Sequence, residues 1–93
     1  MGEFRLILSR ESEKQLIKVK KSGDKVLMEK IKRLFRELEL HPSYGTGKPE
    51  QLKHGLSGLW SRELNKKSRI VYEIDDENSV VIIVSLIGHY NDK

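Results

Sequence analysis

Residues 45–54 read GTGKPEQLKH, and the carboxylate of Glu50 stands there with Lys48 before it and Lys53 and His54 after it. A carboxylate set among cations, on a stretch punctuated by two glycines and a proline, could take a proton from a substrate. The plainer reading is a loop acid paired with Lys48 or Lys53. Further along stand Arg69 and the pair His89-Tyr90. A guanidinium can stabilise developing negative charge, and an imidazole can give or take a proton near neutral pH. Each also has an ordinary reading: Arg69 as a hairpin cap, His89 as an exposed strand-end residue, Tyr90 as packing at a sheet edge. Taken together, a carboxylate, a guanidinium and an imidazole would support acid–base chemistry with no metal and no cofactor. No two histidines or acids have ligand spacing on one element, which argues against a metal site.

The chain of 93 residues has the length of one domain, 1–93. Of its residues 37% are hydrophobic and 34% charged, so the core must be modest and the surface rich in charge. The absence of cysteine excludes disulfides and thiolate metal sites. The longest apolar run, Val80 to Val84, is strand-sized, so no membrane segment is expected. Arg5 interrupts the first apolar stretch, unlike a secretory signal, and a cytoplasmic location is the expectation. The net charge is +4, unevenly spread. Lys14, Lys18, Lys20, Lys21, Lys25, Lys30, Lys32, Arg33 and Arg36 face only Asp24 and Glu29 in the same stretch, whereas acids gather at Glu73, Asp75, Asp76 and Glu77. Such separation favours a polyanionic partner, although solvated helix faces look alike.

The elements that must position these groups follow from periodicity. EFRLIL reads as a short strand with Phe4, Leu6 and Leu8 on one face. Ser9 suits an N-cap for a helix to about Lys21, which Ser22-Gly23 breaks. Asp24 can cap a second helix, whose stripe is Leu27, Met28, Ile31, Leu34, Phe35 and Leu38. His41-Pro42 ends it. A loop through SYGTGKPE and an irregular stretch to Gly58 precede three strands, about Leu59 to Leu64, Arg69 to Asp75 and Val80 to Tyr90. The expected fold is α+β, a βααβββ order with a small twisted, mainly antiparallel sheet and two helices on one face. Trp60 reads as core.

Alternation also predicts register. Ile70, Tyr72 and Ile74 should face the helices. A three-residue turn at Asp76-Glu77-Asn78, with Asn78 left-handed, would pair Asp75 with Ser79 and set Arg69 opposite Ser85. His89 and Glu63 would then share the open face with Arg69. A two-residue turn would put His89 on the other side.

The stretch GKPEQLKHGLSGLWSRELNKKSRIVYEI, followed at the end of the last strand, about ten residues later, by GHY, resembles the YoeB/Txe branch of the RelE toxin superfamily. The likeness is dense over the C-terminal half, and the N-terminal elements are consistent with it. It implies the compact RelE-like fold and an mRNA interferase that enters the A site of the 70S ribosome and cuts the message. It also implies silencing by a YefM/Phd-type antitoxin, and it is compatible with a homodimer. By position, the resemblance makes Glu50 the general base, Arg69 the phosphate-stabilising arginine, His89 the general acid and Tyr90 its partner. It makes Lys48, Lys53, His54 and Arg62 residues that hold RNA or ribosome.

Two departures stand out. Glu63 replaces a second arginine that follows Arg62 in the family, and Asn91-Asp92-Lys93 extend past the HY pair. They leave open a catalytically weak or inactive homologue that acts through antitoxin binding. A gyrase-inhibiting toxin of the same superfold is the third reading.

Overall fold

A computed structural model describes residues 3–45, 49–52 and 58–88 of the protein. The N-terminal half forms as local chemistry dictates. Strand β1 (Arg5–Leu8) leads into helix α1 (Arg10–Ser22), whose first turn is capped by the Ser9 side chain accepting from the Ser12 amide. Gly23 ends α1 at φ 77°, a left-handed conformation natural to glycine. Asp24 then caps α2 (Lys25–Leu40) by accepting from the Leu27 amide. The expected stripe on α2 turns inward, with Ile31, Leu34 and Leu38 buried and Leu27, Met28 and Phe35 packed against them.

The rest of the chain adds β2 (Glu50–Gln51), β3 (Leu59–Glu63), β4 (Arg69–Asp75) and β5 (Val80–Gly88). The sheet order is β1-β5-β4-β3-β2, with β1 parallel to β5 and the other neighbours antiparallel. The fold is α+β, as expected. Strand β2 was not expected: the sequence reads there as loop, yet Glu50 and Gln51 pair with Ser61 and Trp60 at the sheet edge.

The helices cover one face of the sheet. Ile70, Tyr72, Val81, Ile83, Leu64 and Leu86 join the helical stripe in a single cluster, and Trp60 and Ile74 pack against it. The even positions of β4 therefore face the helices as alternation requires. Among the described residues no helix is long and apolar enough to cross a membrane.

The β4–β5 register corrects the expectation. Asp75 pairs with Val80 rather than Ser79, and Arg69 lies opposite Gly88 rather than Ser85. The turn is longer because Asp75 accepts from both the backbone and the side chain of Asn78, which leaves Ser79 to take the positive φ of 55°. Those contacts also lower the Asp75 pKa, the Asn78 side chain most of all. Two irregularities then shift the pairing, the first placing Val84 as an extra residue between Ile83 and Ser85. The two one-residue shifts cancel in parity, so it is the extra turn residue that sets Arg69 opposite an even-numbered position, Gly88, instead of an odd one.

The extra residue is held from α1. Ser9 donates its hydroxyl to the Val84 carbonyl at 2.9 Å, Ser12 donates to that of Ile83 at 3.0 Å, and the Gln15 side-chain oxygen accepts from the Leu86 amide at 2.6 Å. These three side chains recur every third residue, one polar line along the helix facing the sheet. They fix the strand that leads toward His89.

Candidate active site

The face of the sheet away from the helices carries the candidate chemistry. Glu50 on β2 lies directly opposite Ser61 on β3, and Ser61 directly opposite Val71 on β4. Residues directly opposite in an antiparallel pair share a face. Glu63 is opposite Arg69 by the same ladder. Glu50, Ser61, Glu63 and Arg69 therefore share one face, with Glu50 and Glu63 exposed, Arg69 half-buried and Ser61 buried.

Two strand spacings and two residues separate the Glu50 and Arg69 backbones, roughly 10 Å across the sheet and roughly 7 Å along it. The Arg69 side chain shortens that gap by donating from Nη1 to the Ser61 hydroxyl at 2.9 Å. Its guanidinium is thus held over the residue that pairs with Glu50. A carboxylate and a cation from two strands share one face, a combination whose chemistry suits a phosphate with a base near it. Sequence reasoning did not single out Ser61. Its signal was available, because Ser61 lies two residues before Glu63 and so on the same face.

Arg62 is placed otherwise than the resemblance implies. Its side chain is fully buried on the helix face, opposite Ile70, and so is not presented to an RNA surface. Nε donates to the Tyr72 hydroxyl at 3.2 Å, Nη1 to the Glu37 carboxylate at 2.9 Å, and Nη2 to the carbonyls of His41 and Tyr44 at 2.8 and 2.7 Å. A buried guanidinium is tolerated only when paired and hydrogen-bonded in this way. Tyr72 passes the network on, donating to the Pro42 carbonyl at 2.7 Å. Burial pushes the Tyr72 phenol above its ordinary pKa, outweighing the lowering influence of Arg62, so it remains a neutral donor.

The bend these bonds hold is tight. His41 stacks on Tyr44 with ring centroids 4.6 Å apart, and Gly45 turns the chain at φ 124°. A Cβ at Gly45 would lie 2.7 Å from Glu37 Oε1 and 3.1 Å from the His41 ring. Gly45→Ala is accordingly expected to cost about 1–3 kcal/mol through backbone strain and the displaced carboxylate. Thermal denaturation measures it, and an unchanged Tm would show that the bend relaxes freely.

Lys48, Lys53, His54, His89 and Tyr90 lie outside the described residues. The basic side chains of the helices are exposed at Lys14, Lys18, Lys20, Lys21, Lys25, Lys32, Arg33 and Arg36, on the layer opposite the candidate site. Beside the end of α2, a cleft of about 440 Å³ is lined by Phe4, Leu40, Pro42, Tyr44, Trp60 and Ile74 among others. These residues belong to the helix side of the sheet. No cluster of three potential metal ligands occurs among the described residues.

Comparison with known proteins bears on the family and the fold. Residues 10–90 match the family described as YoeB-like toxin of bacterial type II toxin-antitoxin system. The toxin YoeB of Escherichia coli (strain K12) is 40% identical over 67 residues, 72% of this chain and 77% of that protein. Two solved structures from Staphylococcus aureus, a YoeB dimer and a heterotetrameric YoeB-YefM toxin-antitoxin complex, match with TM-scores of 0.81 and 0.78. Each is 31% identical, over 96% of this chain and 100% of the other. By sequence and by fold, this chain belongs to the YoeB-like toxins of bacterial type II toxin-antitoxin systems.

Proposed function

We propose that this toxin is a metal-independent endoribonuclease that cuts messenger RNA in the ribosomal A site. The observation that carries the reading is the Glu50–Ser61–Arg69 arrangement, a carboxylate beside a guanidinium on one sheet face. RNA brings its own nucleophile, so three protein groups suffice. Glu50 accepts the proton of the 2′-hydroxyl, and the freed oxygen attacks the adjacent phosphorus. Arg69 stabilises the charge that gathers on the phosphorane oxygens. The bond from phosphorus to the 5′-oxygen then breaks, and His89 protonates that leaving oxygen, with Tyr90 beside it. The products are a 2′,3′-cyclic phosphate and a 5′-hydroxyl. Lys48, Lys53 and His54 would hold the RNA backbone, while the exposed lysines and arginines of α1 and α2 suit ribosomal RNA on the other layer.

In the same reading the whole chain, 1–93, acts as one unit in the cytoplasm, where ribosomes are. A YefM-type antitoxin silences it, as YefM accompanies YoeB in the Staphylococcus aureus complex. The test is to incubate the purified toxin with ribosomes paused on a defined message and map new ends by primer extension. A cut confined to the A-site codon, leaving 5′-hydroxyl and cyclic-phosphate ends, is expected. An intact message, or 5′-phosphate ends, would overturn the reading.

One observation favours a slower enzyme. Glu63 faces Arg69 across the β3–β4 ladder, where it subtracts positive potential beside the phosphate position. Glu63→Arg is expected to raise the cleavage rate or ribosome affinity severalfold, most clearly at low ionic strength. Titration of ribosomes against initial rate measures this, and no change at either salt would mean that the carboxylate does not reach the phosphate.

A further inference from the structure

We infer that Arg62 is a positioning residue that sets the place of Glu50 by clamping the bend at residues 41–45. The inference rests on the ribonuclease reading only for its consequence in catalysis. Strand β2 has two residues and lies at the sheet edge, held to β3 by the Glu50 and Gln51 pairs and by the Leu52 amide donating to the Leu59 carbonyl. So short an edge strand gives little hold of its own. The chain entering it comes from the 41–45 bend, where the Arg62 guanidinium meets two backbone carbonyls and Tyr72 and the His41–Tyr44 contact add to the hold.

Arg62 reaches the bend at both ends, through the carbonyls of His41 and Tyr44. It reaches the middle through Tyr72, which donates to the Pro42 carbonyl. Glu37 on the last turns of α2 pairs with Nη1 and closes over Gly45, whose missing side chain leaves the room. Arg62 is also the neighbour in sequence of Ser61, the residue opposite Glu50. One strand therefore pairs with the carboxylate-bearing segment through its backbone and anchors the approach to that segment through its next side chain. Lysine could keep the pair with Glu37 but has no planar fork with which to hold two carbonyls and a phenol together. Displacing a reacting group by about 1 Å costs on the order of a hundredfold in rate.

The test compares Arg62→Lys and Tyr72→Phe with Ile31→Val, a core change on α2 away from the bend that serves as a stability control. Two measurements are made on each folded variant: amide hydrogen exchange over residues 41–52, and single-turnover cleavage over a range of ribosome concentrations. Expected for Arg62→Lys is exchange over 41–52 faster by about tenfold or more, with β4 and β5 protection retained, and a saturating rate lower by about 10- to 100-fold at unchanged half-saturation. Tyr72→Phe should move both in the same direction by less, and Ile31→Val should move neither. Unchanged exchange over 41–52 in Tyr72→Phe and Arg62→Lys overturns the inference, as does a rate loss equalled by Ile31→Val or confined to half-saturation. If the wild-type toxin cuts no message, the ribonuclease reading falls, and exchange alone decides whether Arg62 holds the segment.

Discussion

Glu50→Gln is expected to slow ribosome-dependent cleavage by about 10²- to 10⁴-fold, the range that a positioned general base supplies. The substitution keeps size and shape while removing the proton acceptor. Glu50 is exposed and at the sheet edge, so its loss should change stability by no more than about 0.5 kcal/mol, as for surface sites generally. Ribosome binding should persist, since the basic layer on the helices is untouched. Single-turnover cleavage together with sedimentation of the toxin with ribosomes separates the two. Cleavage at the wild-type rate would remove Glu50 from the chemistry and leave it an exposed acid of the edge strand. Toxicity that persists without cleavage would favour the gyrase-inhibiting reading, which needs no acid–base set.

The second large effect falls on Arg69. Removal of one preorganised donor to a developing anion costs about 10²- to 10³-fold in the chemical step, and Arg69→Ala should show a loss of that size. Arg69 is half-buried and hydrogen-bonded to Ser61, so a stability cost near 1 kcal/mol accompanies it. Arg69→Lys should recover part of the rate by returning the charge without the fork. Ser61→Ala separates orientation from charge, because it leaves the guanidinium present but unheld. A rate in Arg69→Ala within threefold of wild type, measured at saturating ribosomes, would place the phosphate elsewhere.

What was legible in the sequence is what short stretches decide for themselves. Ser9 and Asp24 each cap a helix with a side chain three residues from the amide it receives, and Gly23 ends one with its own backbone freedom. The α2 stripe and the even residues of β4 bury because period and polarity coincide. Those terms need no knowledge of distant chain, so the α+β order and the helix-facing core could be read directly. The family motif likewise pointed to Glu50 and Arg69 before the sheet brought them to one face.

Three things waited for the tertiary structure. The register of β5 depends on an extra residue at Val84 whose carbonyl is satisfied by Ser9, with Ser12 and Gln15 serving its neighbours from a helix far upstream. Strand β2 exists because β3 lies beside it, since GKPEQLK has no strand pattern of its own. Arg62 reads as surface in any sequence, because a guanidinium is buried only where enough acceptors converge on it. Glu37, Tyr72 and two carbonyls of the following bend supply them, from three separate parts of the chain. Local pattern was enough for the elements, their core faces and the kinship of the toxin. The pairing that sets a carboxylate beside a guanidinium, and the buried arginine behind it, were decided by contacts between residues that no local pattern connects.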